Sequence, residues 1–201
     1  MATNDFAITG CVLTGGKSSR MGTDKALLEI DNKSLLDIAI EKFAGFTEII
    51  ISSARPESYA FTGLTIVTDE LSGLGPIGGI ISVLKASKYD YVCFRPVDAP
   101  LFPAELHPLI AETCKSKDVA VPISQNKPEP LFACFSKSAI PALEGLVSAQ
   151  DYKVSKCFAL LETAYVDLDS SDLIRSFGEP RRYLANANDK EAFNKLQKAK
   201  P

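Results

Sequence analysis

Along most of this 201-residue chain, short apolar runs alternate with amphipathic segments. Four runs dense in β-branched and aromatic residues are typical of buried strands: 6–13, 48–52, 64–67 and 91–94. Segments 34–43 and 77–86 place apolar residues at helical spacing, and Ser34 is a favourable cap for the first of them. Because parallel strands need crossover connections, this alternation predicts an α/β protein whose parallel sheet is covered on both faces.

The second half of the chain is less regular. Its patterns predict helices at 103–114, 138–146, 154–161 and 189–198, and strands at 118–121, 130–135 and 164–168. The last of these strands is expected at an edge of the sheet or antiparallel to its neighbour. The proline-containing polar stretch 122–130 is predicted to be a loop inside one domain that spans residues 1–201.

Composition argues against several classes of function. The chain has 22 Lys and Arg residues against 25 Asp and Glu residues, a formal net charge of −3. A mildly acidic chain is a poor general binder of nucleic acid. No apolar run approaches the ~18 residues of a membrane span, and residues 1–5 lack the pattern of a secretion signal. We therefore expect a cytoplasmic protein without nucleic-acid or membrane partners.

Cysteine and histidine usage gives no metal or redox motif. The five cysteines form no C-x-x-C pair, and most lie in apolar surroundings: Cys11, Cys93, Cys114, Cys134 and Cys157. They are predicted to be small buried hydrophobes in a reducing compartment. The single histidine, His107, is predicted to lie on a helix surface, and one histidine cannot build a usual zinc site.

The first apolar run leads into a loop that combines glycines, hydroxyl residues and cations: Leu13-Thr14-Gly15-Gly16-Lys17-Ser18-Ser19-Arg20-Met21-Gly22-Thr23-Asp24-Lys25. Glycine lets backbone N–H groups approach phosphate oxygens, while Arg20 can fork onto two oxygens and Lys25 adds a compact charge. The loop is not a Walker A motif, because Gly16 to Gly22 is one residue too long. It lacks the G-x-G-x-x-G spacing as well. It predicts another kind of nucleoside triphosphate site; the alternative is a glycine-rich turn with solvated cations.

A second candidate feature ends the run at 91–94. The chain continues through Arg95 and Pro96 into a proline-fixed turn whose only acid is Asp98. Ligands of open parallel sheets lie beyond the carboxyl ends of the strands. A carboxylate there, facing bound phosphates, is a hard oxygen ligand suited to Mg²⁺. The alternative is a plain Asp-Ala-Pro turn.

These two segments resemble a known family. The loop 13–25 is similar to the pattern L-x-G-G-x-S-x-R-M-G-x-D-K of NTP transferases, and within them to the MobA-type molybdenum cofactor guanylyltransferases. The turn is similar to the family's P-C-D-x-P-x-L, with Val97 in place of the cysteine. The resemblance implies a Rossmann-like nucleotidyltransferase fold: a three-layer α/β/α domain with a mostly parallel central sheet.

The resemblance extends to the middle and the end of the chain. Asp69 and the turn 75–79, which includes Gly78, match segments that border the guanine nucleotide in the family. A carboxylate there could accept from guanine N–H groups or from ribose hydroxyls; a surface acid beside a glycine-rich helix start is the alternative. Asn186 and Asn188 match the family's N-x-N-T-P-E segment and could bind the pterin or its phosphate. Helix capping is the alternative for Asn188.

The function implied by the resemblance is transfer of GMP from GTP to the terminal phosphate of molybdopterin, with release of pyrophosphate. The expected GTP contacts are Leu13, Thr14, Gly15, Gly16, Arg20, Lys25, Asp69, Gly78 and Asp98. Arg20, Lys25 and Asp98 are the expected catalytic residues, and Asp98 is expected to hold Mg²⁺. Asn186 and Asn188 are expected to contact molybdopterin. Transient contact with molybdenum-cofactor biosynthesis proteins or molybdoenzymes is also expected.

Three alternatives remain open at this point. A cytidylyltransferase acting on molybdopterin or a sugar-phosphate nucleotidyltransferase could use the same loop. A non-catalytic nucleotide-binding protein that delivers the cofactor belongs to a different class. It would have no need for a metal-binding carboxylate at position 98.

Overall fold

The computed structural model describes residues 7–15, 24–69, 73–170, 172–187 and 192–194. The strands in these segments are β1 (Thr9–Leu13), β2 (Glu29–Ile30), β3 (Lys33–Ser34), β4 (Glu48–Ser52), β5 (Thr65–Val67), β6 (Tyr91–Pro96), β7 (Val119–Ser124), β8 (Lys127–Pro128), β9 (Cys134–Ser136) and β10 (Thr163–Asp167). The helices are α1 (Leu35–Glu41), α2 (Pro76–Ala86), α3 (Leu106–Cys114), α4 (Ile140–Ser148), α5 (Asp172–Arg175) and α6 (Pro180–Tyr183). Shorter 3-10 helices, Lys25–Leu27 and Pro56–Thr62 among them, connect these elements.

The central sheet has the strand order β10-β7-β9-β6-β1-β4-β5, with β8 paired to β7. Only β8 and β9 run antiparallel to their neighbours in this sheet, as far as the described strands show. The small hairpin of β2 and β3 stands apart from it. The prediction of a mostly parallel sheet is therefore confirmed.

Two apolar cores lie on opposite faces of the sheet. Successive strand residues alternate between them, since Cys11 and Ile50 belong to one core and Val12 and Ile51 to the other. Helices α1 and α3 cover the face of Val12, while α2 and α4 cover the face of Cys11. This arrangement is the predicted three-layer α/β/α fold.

Local sequence signals predicted several secondary-structure elements correctly. Strand β4 matches its predicted bounds, and α1 begins after Ser34, whose hydroxyl accepts a hydrogen bond from Asp37 N at 3.0 Å. All five cysteines are buried and free, as predicted. Of the predicted helix 189–198, the described residues 192–194 are helical. No helix in the described part of the chain has the length and apolarity to cross a membrane.

The predictions for the second half need three corrections. Segment 130–135 is not one strand, because Pro130 opens a 3-10 helix (Pro130–Phe132) before β9 starts. Segment 154–161 forms a 3-10 helix, Val154–Ala159. Strand β10 lies at the edge of the sheet, which is one of the two predicted alternatives, and it is parallel to β7. Segment 122–130 holds a hairpin of β7 and β8, whose turn residues Gln125 and Asn126 both have positive φ.

The prediction for His107 is wrong. Its side chain is fully buried in α3, with ring centroids 4.6 Å from Phe43 and 5.1 Å from Phe102. Neither ring nitrogen has a hydrogen-bond partner among the described residues. Burial, with smaller contributions from the charges of Arg95 and Lys42, holds the pKa of His107 well below its usual value. The histidine is therefore a neutral core side chain.

Candidate active site

The carboxyl ends of three neighbouring strands meet at one edge of the sheet. Leu13, the last residue of β1, is in register with Ser52 at the end of β4 and with Pro96 at the end of β6. Thr14 follows directly, and its backbone N–H and its hydroxyl both donate to the Ser52 carbonyl, at 3.0 and 2.9 Å. The Leu13 carbonyl accepts from Val97 N at 3.0 Å. The loop after β1 therefore starts from a rigid platform.

These hydrogen bonds reduce the number of predicted GTP-binding backbone groups that remain available to a ligand. The Thr14 amide and the Leu13 carbonyl already belong to the sheet. Gly15 is exposed, and a Cβ added there would meet no described residue within 4 Å. Gly16 and Arg20 lie outside the described residues, and their phosphate contacts stay predictions.

Lys25 and Asp98 come together at this edge. Lys25 Nζ lies 3.7 Å from Asp98 Oδ2, and each side chain is about one-fifth exposed. Lys25 begins the 3-10 helix Lys25–Leu27 after the first loop, and Asp98 lies two residues beyond β6. A cation and a carboxylate from distant parts of the chain thus share one partly exposed position, as the sequence predicted.

Asp24 fixes the helix that carries Lys25. One of its carboxylate oxygens accepts from Ala26 N at 3.1 Å and caps the helix. The other accepts from the Tyr59 hydroxyl at 2.8 Å and from Arg55 Nη2 at 3.2 Å. Burial and this carboxylate raise the pKa of Tyr59 to about 12. The hydroxyl therefore stays protonated and donates a hydrogen bond to Asp24.

Sequence reasoning missed this network. Asp24 stands inside the motif and has the residue type of a helix N-cap, which could have indicated its role. Tyr59 and Arg55 carry no such signal, because only the packing of the 3-10 helix Pro56–Thr62 brings them to Asp24.

Asp69 and Gly78, which the sequence assigns to the same nucleotide site, are in contact. A Cβ at Gly78 would lie 2.6 Å from each carboxylate oxygen of Asp69, and one at Gly79 would lie 2.9 Å from Ser52 Oγ. The close approach therefore depends on glycine at both positions. Gly78 is the third residue of α2, so the carboxylate already occupies the positive end of that helix. This leaves Asp69 suited to donors such as base N–H groups or ribose hydroxyls.

The C-terminal segment is tied to the same turn. Ala187 N donates to the Asp98 carbonyl at 2.7 Å, which places the neighbouring Asn186 at this edge of the sheet. Asn186 Oδ1 is buried, and no hydrogen-bond partner for it is found in the described part of the chain. Asn188 lies outside the described residues, and its predicted role stays a prediction.

A cavity of about 190 Å³ lies beside this segment, lined by Leu101, Phe177, Arg182 and Tyr183. Burial raises the pKa of Tyr183 to about 12, and its hydroxyl has no hydrogen-bond partner within the described residues. Its lining combines aromatic side chains with a cation. Leu101 lies three residues after Asp98, and Tyr183 lies three residues before Asn186. From the sequence, Arg182 and its neighbour Arg181 could contact the phosphate of the second substrate, although a solvated basic pair is the favoured interpretation.

Known proteins share sequence with this chain over most of its length. The model of the MobA-like NTP transferase domain matches residues 10–165. The molybdenum cofactor guanylyltransferase of Syntrophotalea carbinolica is 33% identical over 193 residues, which cover 94% of this chain and 90% of that protein. The protein of the same name from Vibrio parahaemolyticus is 30% identical over 164 residues, covering 80% of this chain and 84% of the relative.

The fold has solved counterparts. The crystal structure of molybdopterin-guanine dinucleotide biosynthesis protein A from Archaeoglobus fulgidus superposes with a TM-score of 0.79 at 20% identity, covering 94% of this chain and 97% of that one. At that identity the likeness concerns the fold alone. Together with the match over residues 10–165, these findings show that the chain belongs to the MobA-like NTP transferase family.

Proposed function

We propose that this protein transfers GMP from GTP to the terminal phosphate of molybdopterin that carries molybdenum, and releases pyrophosphate. The observation that carries the proposal is the meeting of Lys25 and Asp98, 3.7 Å apart, where the first loop and the C-terminal segment converge on the sheet edge. The family of the chain and the names of its relatives support the choice of substrates.

Mg²⁺ is the proposed cofactor, and Asp98 would hold it. A carboxylate with one-fifth of its side chain exposed fits a hard cation, and Mg²⁺ sites often use one carboxylate together with substrate phosphates. No cluster of three His, Cys, Asp or Glu ligands occurs in the described part of the chain, so the nucleotide phosphates would supply further oxygens. When bound, the metal would offset phosphate charge and polarise the α-phosphoryl group.

The chemistry needs positioning more than proton transfer. An oxygen of the pterin phosphate attacks the α-phosphorus in line, a P–O bond forms, and the bond to the bridging oxygen of pyrophosphate breaks. The attacking phosphate is already ionised at neutral pH and needs no general base. The burial of His107 is consistent with this, since the chain's only histidine is withdrawn from the site. Lys25 would stabilise charge on the triphosphate, with Asp24 and Tyr59 holding its helix in place.

Two further assignments belong to the proposal. A cytoplasmic location is supported by five buried, free cysteines, which suit a reducing compartment. Transient contact with molybdenum-cofactor biosynthesis proteins or molybdoenzymes belongs to the proposal because the product is a cofactor that must reach an acceptor protein.

Substitution of the two charged residues tests the proposal. In an assay of pyrophosphate release with GTP and molybdopterin, Lys25→Ala and Asp98→Asn should each lose about 10²–10³ in rate, the scale known for preorganised charge-stabilising groups. Lys33→Ala is the matched control, because Lys33 also pairs with a carboxylate, Glu41 at 2.7 Å, but on the exposed surface. Wild-type turnover by Asp98→Asn at ordinary magnesium concentrations would place the metal ligand elsewhere.

The choice of base is tested by thermal unfolding. GTP at about 100 times its Kd should stabilise the folded protein by about 2.7 kcal/mol, which for a chain of this size corresponds to roughly 5–11 °C in Tm. CTP and ATP at the same concentration should give smaller shifts. Equal shifts by all three nucleotides would refute the guanine assignment, and binding without pyrophosphate release in the presence of molybdopterin would favour a non-catalytic delivery protein.

A further inference from the structure

Arg95 is a buried cation that neither the family motif nor the mechanism above explains. It lies in β6 between Phe94 and Pro96, and its side chain is fully buried. Burial lowers its pKa to about 9, so the guanidinium remains charged at neutral pH. Within the described residues no carboxylate pairs with it, and its Nε and Nη1 atoms have no hydrogen-bond partner.

The single hydrogen bond that the guanidinium makes to a described residue leads to the active site. Arg95 Nη2 donates to the carbonyl of Ala99 at 2.7 Å, a short contact for a charge-assisted bond. Ala99 is fully buried and directly follows Asp98. Arg95 therefore holds the turn of Asp98 by a hydrogen bond from the core side.

The other side of the turn is held as well. The Asp98 carbonyl accepts from Ala187 N at 2.7 Å, and the Val97 amide donates to the Leu13 carbonyl at 3.0 Å. Three hydrogen bonds, to Leu13, Ala187 and Arg95, thus hold the backbone of three consecutive residues, Val97, Asp98 and Ala99. Of these, the bond from Arg95 is the one made by a side chain, and so it can be removed without changing the backbone.

Packing alone does not account for an arginine here. The position faces the core formed by Cys93, Val97 and Phe102, where an apolar side chain of similar volume would fit the surroundings. A buried charge without a counter-ion opposes folding, and replacing such charges by apolar residues is often neutral or stabilising. Buried groups that oppose stability are a feature of functional sites.

We infer that Arg95 is a positioning residue for Asp98: its guanidinium holds the Ala99 carbonyl and so fixes the turn that presents the metal-binding carboxylate. The inference rests on the proposed function through the role of Asp98. It assigns Arg95 no contact with substrate. Groups that orient a metal ligand typically contribute about 10–100-fold to metal affinity or activity.

The test is Arg95→Met, which keeps much of the volume and removes the charge and the donors. The variant should melt at the wild-type temperature or above it. The Mg²⁺ concentration that gives half of the maximal GTP-induced rise in Tm should increase about 10–100-fold, and the half-maximal Mg²⁺ concentration for turnover should increase with it. Arg95→Lys, whose ammonium can donate to the Ala99 carbonyl, should recover a substantial part of the lost magnesium affinity.

Val92→Ala is the matched control, since Val92 is buried in the same strand but faces the other core. It should lower Tm and leave the magnesium requirement unchanged. The inference is overturned if two results occur together. Arg95→Met melts at a lower temperature than wild type or fails to fold, and the magnesium requirement of Arg95→Lys rises only in proportion to its own loss of stability. It is also overturned if Arg95→Met needs less magnesium than wild type, because the guanidinium would then act by repelling the metal.

Comparison with Asp98→Asn separates the two proposals. If Asp98→Asn loses magnesium-dependent turnover while Arg95→Met retains the wild-type magnesium requirement, the positioning role fails and the proposed function stands. If Asp98→Asn keeps full turnover, the metal assignment fails and the role of Arg95 fails with it.

Discussion

The contact between Gly78 and Asp69 makes Gly78→Ala a sharp test of the nucleotide site. A Cβ at position 78 would lie 2.6 Å from both carboxylate oxygens of Asp69 and 2.9 Å from its Cγ. Ordinary van der Waals contact begins at 3.4 Å, so the carboxylate must move by about 0.8 Å. Asp69 is two residues past the end of β5, so its displacement does not require a change in the hydrogen bonds of that strand.

The expected magnitude follows from two opposing effects. In a helix, alanine is more favourable than glycine by roughly 0.5–1 kcal/mol, which offsets part of the strain from the displaced carboxylate. Global stability should therefore change little. A misplacement of about 1 Å at a substrate-positioning group can cost up to ~10²-fold in rate. We expect kcat/KM for GTP to fall about 10–100-fold, equivalent to about 1.4–2.7 kcal/mol.

The assay combines thermal unfolding with steady-state pyrophosphate release at varied GTP. Gly145→Ala is the matched control, because Gly145 also lies in a helix, α4, and a Cβ there meets nothing within 4 Å. That variant should gain stability and keep wild-type kinetics. The reasoning is refuted if Gly78→Ala retains the wild-type kcat/KM for GTP, since Asp69 would then be irrelevant to nucleotide binding.

Two further variants probe groups that the sequence did not reveal. Tyr59→Phe removes the donor to the Asp24 carboxylate and should lower the free energy of unfolding by about 1.5–3 kcal/mol. It should also reduce turnover, because the 3-10 helix that carries Lys25 is held less firmly. An unchanged free energy of unfolding in denaturant would contradict this. His107→Leu should flatten the acid side of the stability profile. The folded-state pKa of His107 is well below 6.5, so below about pH 6.5 the unfolded chain binds a proton that the folded chain excludes. Wild-type stability then falls by up to about 1.4 kcal/mol per pH unit, and parallel profiles for both proteins would contradict this origin.

Much of the fold could be predicted because its signals are local. The apolar runs of β1, β4, β5 and β6 are bounded by polar or glycine residues, and the cap of α1 is a serine three residues before Asp37. The convergence of strand ends then follows from parallel topology, which is why Lys25 and Asp98 could be assigned to one site before any coordinates.

The errors arise where tertiary packing decides. His107 sits beside Leu106 at the start of α3, and its periodicity alone does not distinguish a buried from an exposed side chain. It is buried because aromatic rings from α3's neighbours, Phe43 and Phe102, close around it. The burial of Arg95 is not apparent from the sequence either, since a charge at the end of a strand ordinarily suggests exposure, whereas this side chain lies in the core and donates to Ala99.

The pairing of Lys25 with Asp98 also bears on which species the site accepts. The two charges are 3.7 Å apart and mostly shielded from water, so separating them without compensation is unfavourable. A magnesium–nucleotide complex offers a cation to Asp98 and phosphate oxygens to Lys25, and so replaces one ion pair by two. Metal-free GTP would satisfy Lys25 and leave the carboxylate facing phosphate charge. We therefore expect GTP with EDTA to raise Tm less than the same concentration of GTP with Mg²⁺, and expect Asp98→Asn to reduce that difference. Equal shifts for wild type under both conditions would show that Asp98 and the triphosphate do not share a metal.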